Sequence, residues 1–99
     1  MDKPESIKYS WKWLTADAQL STGACELVYA FLSADGQTTG KAVIYDGENV
    51  NGDMILTFEA IANSGTPFAP GVPVYCRRGL YVDYAAGAGI FLLWREIGR

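Results

Sequence analysis

Apolar and polar residues alternate most cleanly near the start of the chain, where Ile7, Tyr9, Trp11 and Trp13 interleave with Lys8, Ser10 and Lys12. A period of two marks an extended strand, whose successive side chains leave opposite faces. One face of this strand is aromatic, the other polar. Thr15 to Gly23 reads as a linker or turn, with Asp17, Ser21, Thr22 and Gly23 as breakers. Ala24 to Leu32 follows as a long strand, and parity puts Cys25, Leu27, Tyr29 and Phe31 on one face of it. Ser33 to Gly40 is rich in turn formers. Lys41 to Tyr45 is a short strand of β-branched and aromatic residues.

The acidic, glycine-containing stretch Asp46 to Asp53 then turns the chain into Met54 to Ile61. A helix over Met54–Asn63 is conceivable, but its shortness, the Asn51-Gly52 before it and Asn63-Ser64-Gly65 after it favour a strand. Thr66 to Pro73 holds Pro67, Pro70 and Pro73, so it can lie along a sheet edge but cannot pair fully inside one. Val74 to Cys76 resumes a strand, Arg77-Arg78-Gly79 turns it, and Leu80 to Tyr84 is the next. After the flexible turn Ala85 to Gly89, Ile90 to Ile97 closes the chain, apolar on both faces as far as Trp94. Roughly seven to eight short strands with turn signals between them predict an all-β protein, a two-sheet antiparallel β-sandwich of jelly-roll-like or immunoglobulin-like form. Residues 1–6 are a polar N-terminal tail and 7–99 a single domain.

Composition adds a partner to that picture. Of 99 residues, 49% are hydrophobic and only 19% charged, more apolar material than the interior of so small a domain calls for. An oligomer or assembly contact is the expectation. The net charge is −3, and of the scattered basic residues only Arg77 and Arg78 are adjacent; nucleic acid is not expected as a partner. No apolar run approaches the roughly 20 residues of a membrane-spanning helix. The polar start, Met1 to Ser6, has no secretory signal, so the chain is expected to be made in the cytosol.

The chain has no histidine, which removes the Ser-His-Asp and Cys-His arrangements and the ordinary general base. No glycine loop precedes a helix to cradle a phosphate. No enzyme and no cofactor are expected. Asp46, Glu48, Asn49, Asn51 and Asp53 raise the question of calcium, but with Gly52 at the sixth position of an EF-hand frame the first would be Gly47. Solvated carboxylates on a turn are the simpler reading. Arg77 and Arg78 could pair with an acidic partner or with Asp83, or form an ordinary turn. Cys25 and Cys76 could meet across a sandwich core; buried free thiols are expected in the cytosol, with a disulfide as the alternative. Two thiols without histidine do not complete a zinc site. The Tyr9, Trp11 and Trp13 face is either an inner sandwich face, a subunit contact or a platform for sugar rings.

The stretch Val43-Ile44-Tyr45-Asp46-Gly47, then Asn51-Gly52, Ile55-Leu56 and Gly79-Leu80-Tyr81-Val82 with a closing apolar strand resembles small β-sandwich virion proteins of tailed bacteriophages. The resemblance runs over about residues 23–97. It implies a capsid decoration (cement) protein or a head or tail fibre component, located in the virion and held by major capsid or fibre subunits, as a homo-oligomer or on the lattice. A carbohydrate- or receptor-binding module is the alternative. The family's motifs set turns and carry no functional residues across. The residues expected to make the contact are Trp11, Trp13, Phe68, Tyr75, Tyr81 and Trp94.

Overall fold

The computed structural model describes residues 8–97; the polar tail over 1–6 and Ile7 lie outside them. Nine strands follow in order: β1 (Ser10–Leu14), β2 (Ala18–Ser21), β3 (Cys25–Ser33), β4 (Gly40–Asp46), β5 (Asp53–Ala60), β6 (Gly65–Phe68), β7 (Val74–Cys76), β8 (Leu80–Ala86) and β9 (Gly89–Glu96). They form two antiparallel sheets. One runs β1-β9-β3-β6, with β7 also paired to β3 beyond the end of β6; the other runs β2-β8-β4-β5. The chain changes sheet at every connection except β4–β5 and β6–β7. The described residues contain no helix, and Met54–Ala60 is strand.

The ninth strand, one more than expected, is β2. Its residues sit in what the breakers mark as a turn, but Ala18 and Gln19 pair with Val82 and Tyr81 on β8. Pairing with a strand remote in sequence overrides a weak local preference. Pro67 behaves as its chemistry requires: β6 lies at an edge, with Pro67 opposite Phe31.

The core lies between the sheets. Leu27, Leu32, Ile90 and Leu92 from one sheet meet Ile44, Leu80 and Val82 from the other, all fully buried. Parity along β3 breaks once. Leu27 pairs with Trp94 and Tyr29 with Leu93, so Val28 has no opposite number on β9. This β-bulge shifts the phase of the strand. Cys25 and Leu27 point inward before it and Ala30 and Leu32 after it. Tyr29 and Phe31 therefore leave the face they were expected to share with Cys25 and Leu27.

Asp35 organises the loop after β3. Its carboxylate accepts the amide N–H groups of Gln37 (2.8 Å) and Thr38 (2.7 Å) and the Thr38 hydroxyl (3.0 Å). These bonds favour the charged form and hold its pKa below the ordinary carboxylate value. A depressed carboxyl stabilises the fold above its unfolded pKa, and that contribution fades as pH falls through the folded value. The protection of the Gln37 and Thr38 amides against hydrogen exchange, corrected for intrinsic rates, is accordingly expected to drop between about pH 5 and about pH 2. Unchanged protection over that range would mean that the carboxylate does not hold the loop.

Candidate functional site

The face of the five-stranded sheet turned away from the core carries the site. Residues directly opposite one another in an antiparallel ladder share a face, so the register assigns its rows. One row is Trp13, Phe91, Phe31 and Pro67; the next is Trp11, Leu93 and Tyr29. A third runs through Arg95, Glu26 and Tyr75. Phe91 sits near the middle, with Trp11 stacked on it (centroids 6.0 Å, planes at 26°) and Tyr29 tilted against it (6.1 Å, 57°).

Two glycines receive rings on this face. A Cβ on Gly89 would lie 2.3 Å from the Trp13 indole, and one on Gly65 would lie 2.3 Å from the Phe31 ring. Each ring lies against bare backbone on a neighbouring strand, in the space a side chain would fill, and shields the glycine. Trp11 nevertheless remains 66% exposed, Trp13 46%, Tyr9 51% and Tyr75 57%. The only charges in the three rows are Glu26 and Arg95, and they satisfy each other: Arg95 Nε donates to Glu26 Oε1 at 2.7 Å. Beside Glu26 the Arg95 guanidinium is held more firmly protonated than usual. The face is apolar, with one neutralised ion pair toward one end.

β1 is the telling element. Its polar side, Ser10 and Lys12, lies opposite Trp94 and Leu92, which point into the core. Its aromatic side points out. Only Leu14 at its end is buried. In a half-buried strand the apolar side should face the core, and a slip of one residue would put it there. The register β1 adopts does the opposite and presents two indoles to solvent. The inner-face reading of Tyr9, Trp11 and Trp13 is thereby overturned.

The six expected contact residues divide three ways. Trp11, Trp13 and Tyr75 share the open face. Tyr81 is half-buried on the other sheet, where it tilts against Tyr45 (6.3 Å); burial and the nearby Asp17 carboxylate raise its pKa. Phe68 and Trp94 turn inward, away from the open face. Phe68 packs edge-on against buried Phe58 (6.4 Å, 84°). Trp94 is 6% exposed, and its indole N–H donates to Glu96 Oε2 at 3.1 Å. Tyr29, Phe31, Phe91 and Leu93 belong to the site and were missed. The signal for Phe91 and Leu93 was the closing strand's two apolar faces; for Tyr29 and Phe31 the bulge at Val28 hid it.

The acidic turn does structural work. Asp46 accepts the backbone N–H groups of Arg77 (3.0 Å) and Arg78 (2.8 Å). Gly47 N–H donates to Gly79 O (3.2 Å), and Asn49 Oδ1 accepts from Asn51 N–H (2.8 Å). Arg78 pairs with Asp53 (3.1 Å), not with Asp83. Asp46-Gly47 and Gly79 thus meet in one junction, and the two sequence motifs turn out to be its two halves. An open cleft of about 420 Å³ beside it is lined by both signs of charge, Glu48 and Arg77 among them. Among the described residues no group of three or more acidic, cysteine or histidine side chains is placed to hold a metal ion.

Cys25 and Cys76 are both free and fully buried. They do not face each other across the core: they are direct partners on adjacent strands of one sheet, β3 and β7. No protein-family model matches the chain, and no curated protein or solved structure matches it either.

Proposed function

We propose that this protein is a non-enzymatic structural component of a tailed-phage particle, a capsid decoration protein or a fibre component, and that it docks on another virion protein through the outer face of its five-stranded sheet. The observation that carries the docking is the outward register of β1, which leaves Trp11 and Trp13 exposed beside Phe91 and Leu93. The virion assignment is carried by the resemblance of the segments around Tyr45-Asp46-Gly47 and Gly79-Leu80-Tyr81-Val82.

A flat apolar patch centred on indoles is what protein partners cover. Tryptophan and tyrosine dominate binding energy at interfaces because they remove large areas from water at small entropic cost. Burying the face would contribute about 25 cal/mol for each Å² of apolar surface, against about 4–15 kcal/mol for lost rigid-body freedom. A single contact is therefore modest. Contacts between neighbouring copies on a symmetric shell raise the effective concentration and hold the layer in place.

Exposed indoles on a flat sheet also suit sugar rings, which keeps a carbohydrate-binding module as the second reading. Sugar hydroxyls need hydrogen-bonding partners beside the stacking rings. The positions flanking Trp11 and Trp13 are instead Leu93, Phe91 and Phe31, and Glu26 and Arg95 are already bonded to each other. This favours a protein partner.

Co-sedimentation decides between them. Purified protein is expected to pellet with empty capsids or isolated fibres of the encoding phage, at a fixed number of copies per particle. Soluble glycans should leave its tryptophan fluorescence unchanged. A protein that stays in the supernatant, or whose fluorescence is quenched by a glycan series, overturns the proposal.

A further inference from the structure

We propose that Cys25 and Cys76 are an oxidisable dithiol, a modification site at which a disulfide oxidant closes one intramolecular bridge and clamps β7 to β3. Direct opposition in the antiparallel ladder puts their Cβ atoms about 4.5–5.5 Å apart on the same side of the sheet. A bridge needs Cα atoms about 4.4–6.8 Å apart, a span that cross-strand partners meet, and Cβ atoms about 3.5–4.5 Å apart, which a small closing shift of the short β7 supplies. Both side chains point inward and neither has any exposed surface. Both thiols are free, and the ladder sets them side by side.

The environment separates the two roles. The neighbouring Cys76 thiol, helped by the Ser21 hydroxyl, lowers the Cys25 pKa against the opposing effect of burial. The Cys25 thiol beside it, with burial, raises that of Cys76. Ser21 in turn is held at 2.8 Å from Glu96 Oε1. With the Cys76 thiol donating to Val74 O at 3.7 Å, Cys25 is the thiol that gives up its proton more readily.

Access comes from β7 itself. It is a three-residue strand, paired to β3 at three positions, with Pro73 before it and the Arg77-Arg78-Gly79 turn after it. Short, edge-placed elements with exposed flanks open most readily, and lifting β7 uncovers both sulfurs. The Cys25 thiolate then attacks oxidised glutathione; a protein–glutathione bond forms, the glutathione S–S bond breaks and one glutathione thiolate leaves. Cys76 gives up its proton and attacks the mixed disulfide, closing the Cys25–Cys76 bond and releasing the second glutathione. The protein loses two protons and two electrons, which reduce one glutathione disulfide to two thiols.

Closure has two consequences. It ties together positions far apart in the chain, so the unfolded state loses freedom. It also fixes β7, which carries Tyr75 at the rim of the aromatic face. Reduced, that rim can lift; oxidised, it is locked.

The test uses the whole chain, purified reduced, freed of reductant and incubated with oxidised glutathione before alkylation in denaturant. The expected product has lost two hydrogens in mass, has no alkylatable thiol and melts about 10 °C higher, and dithiothreitol reverses all three changes. Cys76→Ser should stop at a glutathione adduct on Cys25 without the rise in melting temperature. Two thiols still free after oxidation, an adduct that never closes in the natural chain, or a bridge that lowers the melting temperature would each overturn the proposal.

Discussion

Exchanging Trp11 and Trp13 together for alanine is expected to weaken docking at least about 100-fold while costing the fold only about 1 kcal/mol, a fall of about 4–8 °C in melting temperature. The asymmetry follows from where the rings stand. Each indole is a large apolar group left mostly uncovered by its own chain, so most of its area is there for the partner to bury. Truncating an interfacial tryptophan at a hot spot removes about 2 kcal/mol or more, and every 1.4 kcal/mol is about tenfold in affinity. Within the chain the losses are smaller: the stacking of Trp11 on Phe91, worth about 0.5–1.5 kcal/mol for such a pair, and the cover that Trp13 gives Gly89. Capsid co-sedimentation titrated against a thermal melt of the same variant separates the two quantities. A variant that binds as the natural chain does, but melts far lower, would make these indoles structural.

Replacing Gly79 with alanine is expected to destabilise the protein by about 3 kcal/mol, a large share of the ~5–15 kcal/mol that holds a domain of this size together. Gly79 has φ +151°, where side chains rarely sit, and an added Cβ would lie 2.7 Å from Ser21 O and 2.8 Å from Gly47 O. Both obstacles are backbone carbonyls and cannot rotate away. Strained backbone contributes about 1–3 kcal/mol and overpacking a similar amount. Three loops meet at this point, so the cost spreads: the Gly47 N–H bonded to Gly79 O and the arginine amides bonded to Asp46 must shift with it. Gly23→Ala is the control, since nothing lies within 4 Å of its added Cβ, and it should stay within about 0.5 kcal/mol. Urea unfolding of the two variants beside the natural chain provides the comparison. Equal midpoints for all three would show that the junction tolerates a side chain.

The two substitutions test opposite parts of the molecule. Gly79 belongs to the junction that the motifs encode, and the motifs are turn chemistry: an aspartate to take loop amides, glycines where backbones approach. The aromatic face has no motif. It is assembled from β1, β3 and β9, strands that lie far apart in the chain and next to one another in the sheet.

The alternation of Tyr9, Trp11 and Trp13, the prolines of the Thr66–Pro73 stretch and the turn residues around Gly47 and Gly79 were enough to specify strands, an edge and an all-β sandwich, because each rests on the local geometry of a few residues. Which way an alternating strand faces is not local. β1 looks from its pattern like a strand with an aromatic inner side, and it faces outward because its register on β9 aligns Leu14 with Ile90 and Trp13 with Phe91. β3 changes faces at Val28 because β9 has one residue fewer opposite it, something no parity count along β3 can reveal. Burial of Trp94 and exposure of Trp11 were likewise undetermined by composition, since both are tryptophans on strands and only the partner strands decide which face each takes. Side-chain parity follows from the chain alone; the side that meets the core depends on partner strands, and only tertiary pairing decides it.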